Sequence, residues 1–193
     1  MSSLENSGPL VAQAALATIG GRPSATRHAD ESEQNWVDIA RFANRPNRGY
    51  DTYSTLSLHI TPNLLNGNDL RVEIVGVAPR KAEEFANLIA TLAFFIVKDH
   101  WVCAPGIVFP GLIPRYYPGL SKTLEHVLFT EPFPWPGLSS VNLSGRLAVH
   151  WLLAVPISEA ERQYLMRHGR DKLDELFGAH DLPYFDLSRR SIV

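Results

Sequence analysis

A chain of 193 residues is long enough for one well-buried core and short for two, so a single domain over residues 1–193 is expected. Charged residues at 20% against hydrophobic residues at 45% exclude a disordered or fibrous chain, and a formal charge of −2 supplies no basic face for nucleic acid. A lone cysteine, Cys103, excludes an internal disulfide; with no basic-then-apolar leader at Met1 to Asn6 and no bilayer-length apolar run, the expected setting is the cytoplasm, away from membranes.

Residues 1–8 are polar and expected to be disordered, and 9–35 read as an N-terminal helix and a loop. Pro9 to Ile19 has proline in the first turn and Gly20-Gly21 as its stop, whereas Arg22 to Asn35 shows only polar loop character. Trp36 to Phe42 alternates as a strand, Asn44 to Gly49 is a turn by composition, and Thr52 to Thr61 alternates as a strand with one dry face and one wet. Asn66-Gly67 signals a hairpin, with Leu70 to Val77 as the antiparallel return. Phe85, Leu88, Ile89, Leu92, Phe95 and Ile96 then recur at helical steps, which predicts a helix laid over the sheet.

From Trp101 to Gly119 the chain mixes proline, glycine and aromatic residues, a composition for an ordered loop. Leu124 to Phe129 is a further strand, and Glu131 to Gly137 a second rigid aromatic loop. The apolar run Arg146 to Val155 predicts a strand buried on both faces. Ser158 and Glu161 have capping-box spacing, so a helix starts at Ser158 and closes at His168-Gly169. Asp171 to Phe177 carries a last helical pattern, and Arg189 to Val193 reads as a final short strand.

Residue chemistry alone names no function. Cys103 follows His100 by three positions, and His126 and His150 occur elsewhere, so a thiol nucleophile with a histidine base is conceivable; without a flanking signature the cysteine reads as a small core residue. The seven histidines lack the paired spacing of a metal site, and His150 reads as a hydrogen-bonded core residue. Asp38 and Glu73, both in strands, read as solvent-facing carboxylates, and no glycine-rich turn lies between a strand and a helix to cradle phosphate. The two aromatic loops admit two readings. Phe109, Tyr116, Tyr117, Phe133 and Trp135 either anchor a protein partner or fold back as lids, with Trp135 and the Tyr116–Tyr117 pair expected to be the most exposed.

These landmarks resemble the suppressor-of-fused domain family. The carriers are Val37 to Ile39, Tyr53 to Leu58, Arg71 to Ile74 leading into the long helix, Leu124 to Glu131, Val155 to Glu161, and the terminal Arg190 to Val193, spread over most of residues 36–193. The resemblance implies an α+β fold, a mixed and largely antiparallel central sheet packed by helices, like the first lobe of the two-lobed members. Those members grip an extended peptide of a Hedgehog-pathway transcription factor between two lobes; stand-alone bacterial members are thought to neutralise toxins as immunity proteins. His126 alone is carried over as a partner-binding position, from a strand that borders the peptide.

The expected function is therefore that of a bacterial-type, non-enzymatic protein that masks a toxin or regulatory protein through His126, Tyr116, Tyr117 and Trp135. No cofactor, metal, nucleic acid or membrane is expected. The alternatives are a hydrolase or thiol enzyme using Cys103 with a histidine, and a small-molecule binder with an apolar pocket.

Overall fold

The structure, a computed structural model, describes residues 4, 6–144, 147–180 and 182–193; Gly145 and Arg146, the predicted start of the buried strand, and residues 1–3 and 5 of the predicted disordered segment lie outside that set. In chain order the elements are α1 (Gly8–Ile19), β1 (Ser24–Ala29), β2 (Trp36–Ala43), β3 (Tyr50–Thr55), a 3-10 turn at Leu58–Ile60, β4 (Leu64–Leu65), β5 (Asn68–Asp69), β6 (Arg71–Pro79) and α2 (Phe85–Val97). Then come β7 (Val108–Phe109), α3 (Leu112–Tyr116), β8 (His126–Thr130), β9 (Ser140–Ser144), β10 (Leu147–Ile157), α4 (Glu159–His168) and α5 (Arg170–Ala179).

The main sheet runs β1-β2-β3-β6-β10-β8-β7, with β9 also paired to β10, and β4-β5 form a separate hairpin. All pairs are antiparallel except β6 with β10, which run parallel with Ile74 opposite Leu152. Strand alternation sends Val72, Ile74, Leu152 and Ala154 to one face, where Phe85, Ile89 and Leu92 of α2 cover them. Val75, Val77, Trp151 and Leu153 go to the other, under α1 and α5. From Trp151 to Ile157 both faces of β10 are dry, which is why its sequence there is apolar without alternation. The expected capping box is present: the Glu161 amide donates to Ser158 Oγ at 3.1 Å and the Ser158 amide to Glu161 Oε2 at 2.9 Å.

Several expectations are corrected. The loop over Arg22 to Asn35 contains β1, whose side chains are almost all exposed; an edge strand buried on neither face leaves no apolar pattern. The predicted strand Thr52 to Thr61 ends at Thr55 and is buried on both faces, because the Glu73 carboxylate accepts the amides of Leu58 and His59 and turns the chain. Glu73 itself is fully buried, not solvent-facing, while His150 is exposed, not a core residue. Asn66-Gly67 closes only the small β4-β5 hairpin, although β6 does return antiparallel to β3. The Arg189 to Val193 tail forms no strand, since Arg189 is drawn into the core by Glu161. Ser7, within the segment expected to be disordered, is buried.

Candidate partner-binding face

The groups that could carry covalent chemistry are buried, although Cys103 and His150 border one cavity of about 290 Å³. Ser7, His59 and Glu73 lie in a row: Ser7 Oγ is 2.7 Å from His59 Nε2, and His59 Nδ1 is 2.5 Å from Glu73 Oε1. The spacing is that of a nucleophile, base and carboxylate, but the polarity is reversed. The Ser7 hydroxyl already donates to the Leu4 carbonyl at 2.5 Å, so it offers His59 a lone pair and not a proton. All three side chains are buried. Cys103 is 0% exposed and burial pushes its thiol pKa well up, which suppresses the thiolate a nucleophile needs. Its backbone is clamped by Asn63, through Cys103 N–H to Oδ1 at 2.9 Å and Nδ2 to the Cys103 carbonyl at 2.6 Å. Among the described residues, no three histidine, cysteine or acidic side chains gather as a metal site.

The expected partner-binding residues separate. Trp135 is 6% exposed and packs into the core on the α1 and α5 face, so it is a lid and not an anchor; Phe109 is buried likewise. The prolines around Trp135 hold a turn, with Trp135 N–H on the Pro132 carbonyl, that folds the indole inward. Tyr116 is 42% exposed at the end of α3 beneath the Arg115 guanidinium. Tyr117 is half-buried, its hydroxyl 2.6 Å from Thr91 Oγ1, and burial raises its pKa. His126 is buried at the start of β8: its Nδ1 accepts the Gly111 amide at 2.8 Å, which leaves the proton on Nε2. That nitrogen sits 2.7 Å from Glu159 Oε2 without hydrogen-bond alignment. His126 thus fixes the turn into α3 from behind, with its ring buried.

Tyr116 borders a cavity of about 420 Å³ walled by Phe94, Phe95, Lys98 and Asp99 of the α2 end and by Ala29 to Glu31 of the β1-β2 turn. On the far side of the same turn a second, smaller cavity of about 210 Å³ is lined by Trp36, Leu58, Ile60 and Val97. Trp36 is 52% exposed and Ile60 47%. Sequence reading missed both, because each sits in an ordinary apolar pattern; only the end of a strand and of a 3-10 turn leaves them uncovered. The turn between the cavities is stiff. The Asp30 carboxylate accepts Asn35 Nδ2 at 2.8 Å, Ser32 Oγ at 2.9 Å and the Gln34 amide at 3.1 Å, and reaches Lys98 at 3.3 Å. These bonds, that from Asn35 foremost, hold the Asp30 pKa far below the usual carboxylate range. Trp36 is held by the Arg27 guanidinium 5.3 Å from its ring, itself paired with Asp38 at 2.8 Å.

Residues 33–190 match the family model of suppressor of fused protein (SUFU). The chain belongs to the suppressor of fused family. It is 34% identical over 187 residues to immunity protein YqcF of Bacillus subtilis (strain 168), covering 95% of this chain and 96% of that protein. In structure it is similar to a SUFU homologue from Neisseria gonorrhoeae, with a TM-score of 0.67 at 17% identity over 99% of this chain and 95% of the other. A chain of a Sufu–Fu complex aligns with a TM-score of 0.66 at 12% identity, over 98% and 92% of the two chains. Drosophila Suppressor of Fused aligns at 0.58 and 13% identity over 82% of this chain and 43% of its own. The mixed, largely antiparallel sheet packed by helices is thus a SUFU fold. The family landmark at Val155 to Glu161 is the end of β10 and the α4 capping box, and the terminal Arg-Ser-Ile-Val abuts Arg189, which is clamped onto Glu161. Among the described residues of this SUFU-family chain, no helix is long and apolar enough to cross a membrane.

Proposed function

We propose that this chain binds a protein partner and holds it inactive, as an immunity protein does with a toxin, and performs no covalent chemistry on it. The reading is carried by one observation: Tyr116, Trp36 and Ile60 stand exposed on braced backbone at one end of the sheet, while Ser7 and Cys103 are buried. Rigid, half-exposed aromatic side chains lose little conformational entropy on docking, which is what interface anchors require. The full-length likeness to an immunity protein supports the same reading.

The test is co-expression with the product of the neighbouring open reading frame. The expected result is restored growth and a stoichiometric complex that dissociates at least about tenfold more readily after Tyr116→Ala, the effect of losing an anchor worth about 1.4 kcal/mol or more. Growth arrest that persists with folded chain present, or chemical alteration of the partner by the chain, would overturn it.

A further inference from the structure

We infer that the end face around the β1-β2 turn takes a basic segment of the partner, one that sets an apolar side chain into the Trp36–Ile60 cleft and lysines or arginines against the acids beside it. The inference rests on the masking role proposed above and names the chemistry of what is masked.

The charges of this face are unevenly matched. Its bases are largely spoken for: Arg27 is paired with Asp38, and Lys98 with Asp30. Glu31, Glu33 and Asp99 are exposed and, among the described residues, have no ionic partner. Glu31 and Asp99 border the same cavity as Tyr116, and Glu33 lies in the stretch of turn separating that cavity from the Trp36 cleft. Arg115, over the Tyr116 ring, is a base with no ionic partner among the described residues. A partner presenting carboxylates would meet like charge at three positions; one presenting ammonium or guanidinium groups would find each acid ready. The Asp30 bonds fix the turn beforehand, so those acids are spaced before the partner arrives.

The full-length chain, labelled with nitrogen-15, would be titrated with two synthetic heptapeptides, Lys-Leu-Lys-Phe-Lys-Leu-Lys and its counterpart with glutamate at every lysine. The expected result is that only the basic peptide shifts the Trp36 indole N–H and the amides of Glu31, Glu33 and Asp99. Affinity should fall at least tenfold in the triple variant E31K/E33K/D99K and should weaken with added salt. Equal response to the acidic peptide, shifts mapping elsewhere, or a triple variant that binds as well as the parent would each overturn the inference. The masking role fails separately: a partner neutralised equally by parent and triple variant would sink the inference and leave that role standing. Peptide binding at this face with no partner neutralised would do the converse.

Discussion

At Glu73 a carboxylate with no solvent contact receives the Thr55 hydroxyl, the amides of Leu58 and His59, and a contact from the His59 ring. A buried charge with that many donors is costly to remove, because the donors are then left without water or partner. Glu73→Ala is expected to cost roughly 3–5 kcal/mol in urea unfolding, and Ser7→Ala only about 1 kcal/mol, since His59 keeps its other partner. A loss near zero for Glu73→Ala would mean that the donors find water. Cys103 yields a second expectation from burial. Because the folded protein holds its thiol neutral, labelling by a thiol reagent at pH 8 should be slower than for the unfolded chain by the fraction of time Cys103 spends exposed, and should become fast in denaturant. Only the second environment was legible in the sequence, since a lone cysteine in an apolar stretch reads as core. A glutamate in an alternating strand looks the same whether water or a histidine 14 residues earlier satisfies it.

Where elements meet, two contacts decide the packing. Gly76 on β6 faces α2 so closely that a Cβ would lie 2.7 Å from Ile89 Cδ1 and 2.8 Å from Phe85 Cε1, both in the packed core. Gly76→Ala should therefore push α2 off the sheet and lower stability by about 1–3 kcal/mol, read from the shift of the thermal midpoint. At the other end the α4 cap is tied to the C-terminal segment: Arg189 reaches Glu161 at 2.6 and 2.9 Å and the Pro156 carbonyl at 2.9 Å. Arg189→Ala leaves the Glu161 carboxylate buried beside an empty site, for an expected loss of roughly 3–5 kcal/mol; Ser158→Ala removes the cap and one hydroxyl contact with Ser191, at about 1 kcal/mol. A smaller effect from Arg189→Ala than from Ser158→Ala would show the tail to be dispensable. Helices α1, α2, α4 and α5 and the inner strands were legible because their periodicity reports a one-sided or two-sided core, as in Phe85 to Ile96 and Leu147 to Val155, whereas α3 lies in a stretch read as loop. The edge strand Ser24–Ala29 and the irregular tail were not, since one buries nothing and the other is shaped by a partner 28 positions away.

Across the whole molecule, β6 and β10 belong to both cores, Ile74 and Leu152 on one side, Val75 and Leu153 on the other. We propose that the described residues unfold as one unit; near- and far-ultraviolet circular dichroism should then trace the same urea transition, and separated transitions would divide the chain. The binding face had no local signature in the sequence, because it assembles Trp36, Ile60, Asp99 and Tyr116 from four distant elements. Its field, however, can be measured without a partner. Trp135 and Trp151 are buried and Trp101 stacks on Phe95 at 4.3 Å, so Trp36 is the indole most open to collisional quenchers. Iodide should be depleted and caesium enriched around it by Glu31 and Glu33, by about threefold for each kT of potential at low salt. The ratio of iodide to caesium quenching is therefore expected to rise in E31K/E33K and to converge with the parent's at 1 M salt, with Trp36→Phe removing most of the quenchable signal. An unchanged ratio would mean that the Arg27 guanidinium over the indole cancels the acids, and the face would carry no net field for a basic segment to follow.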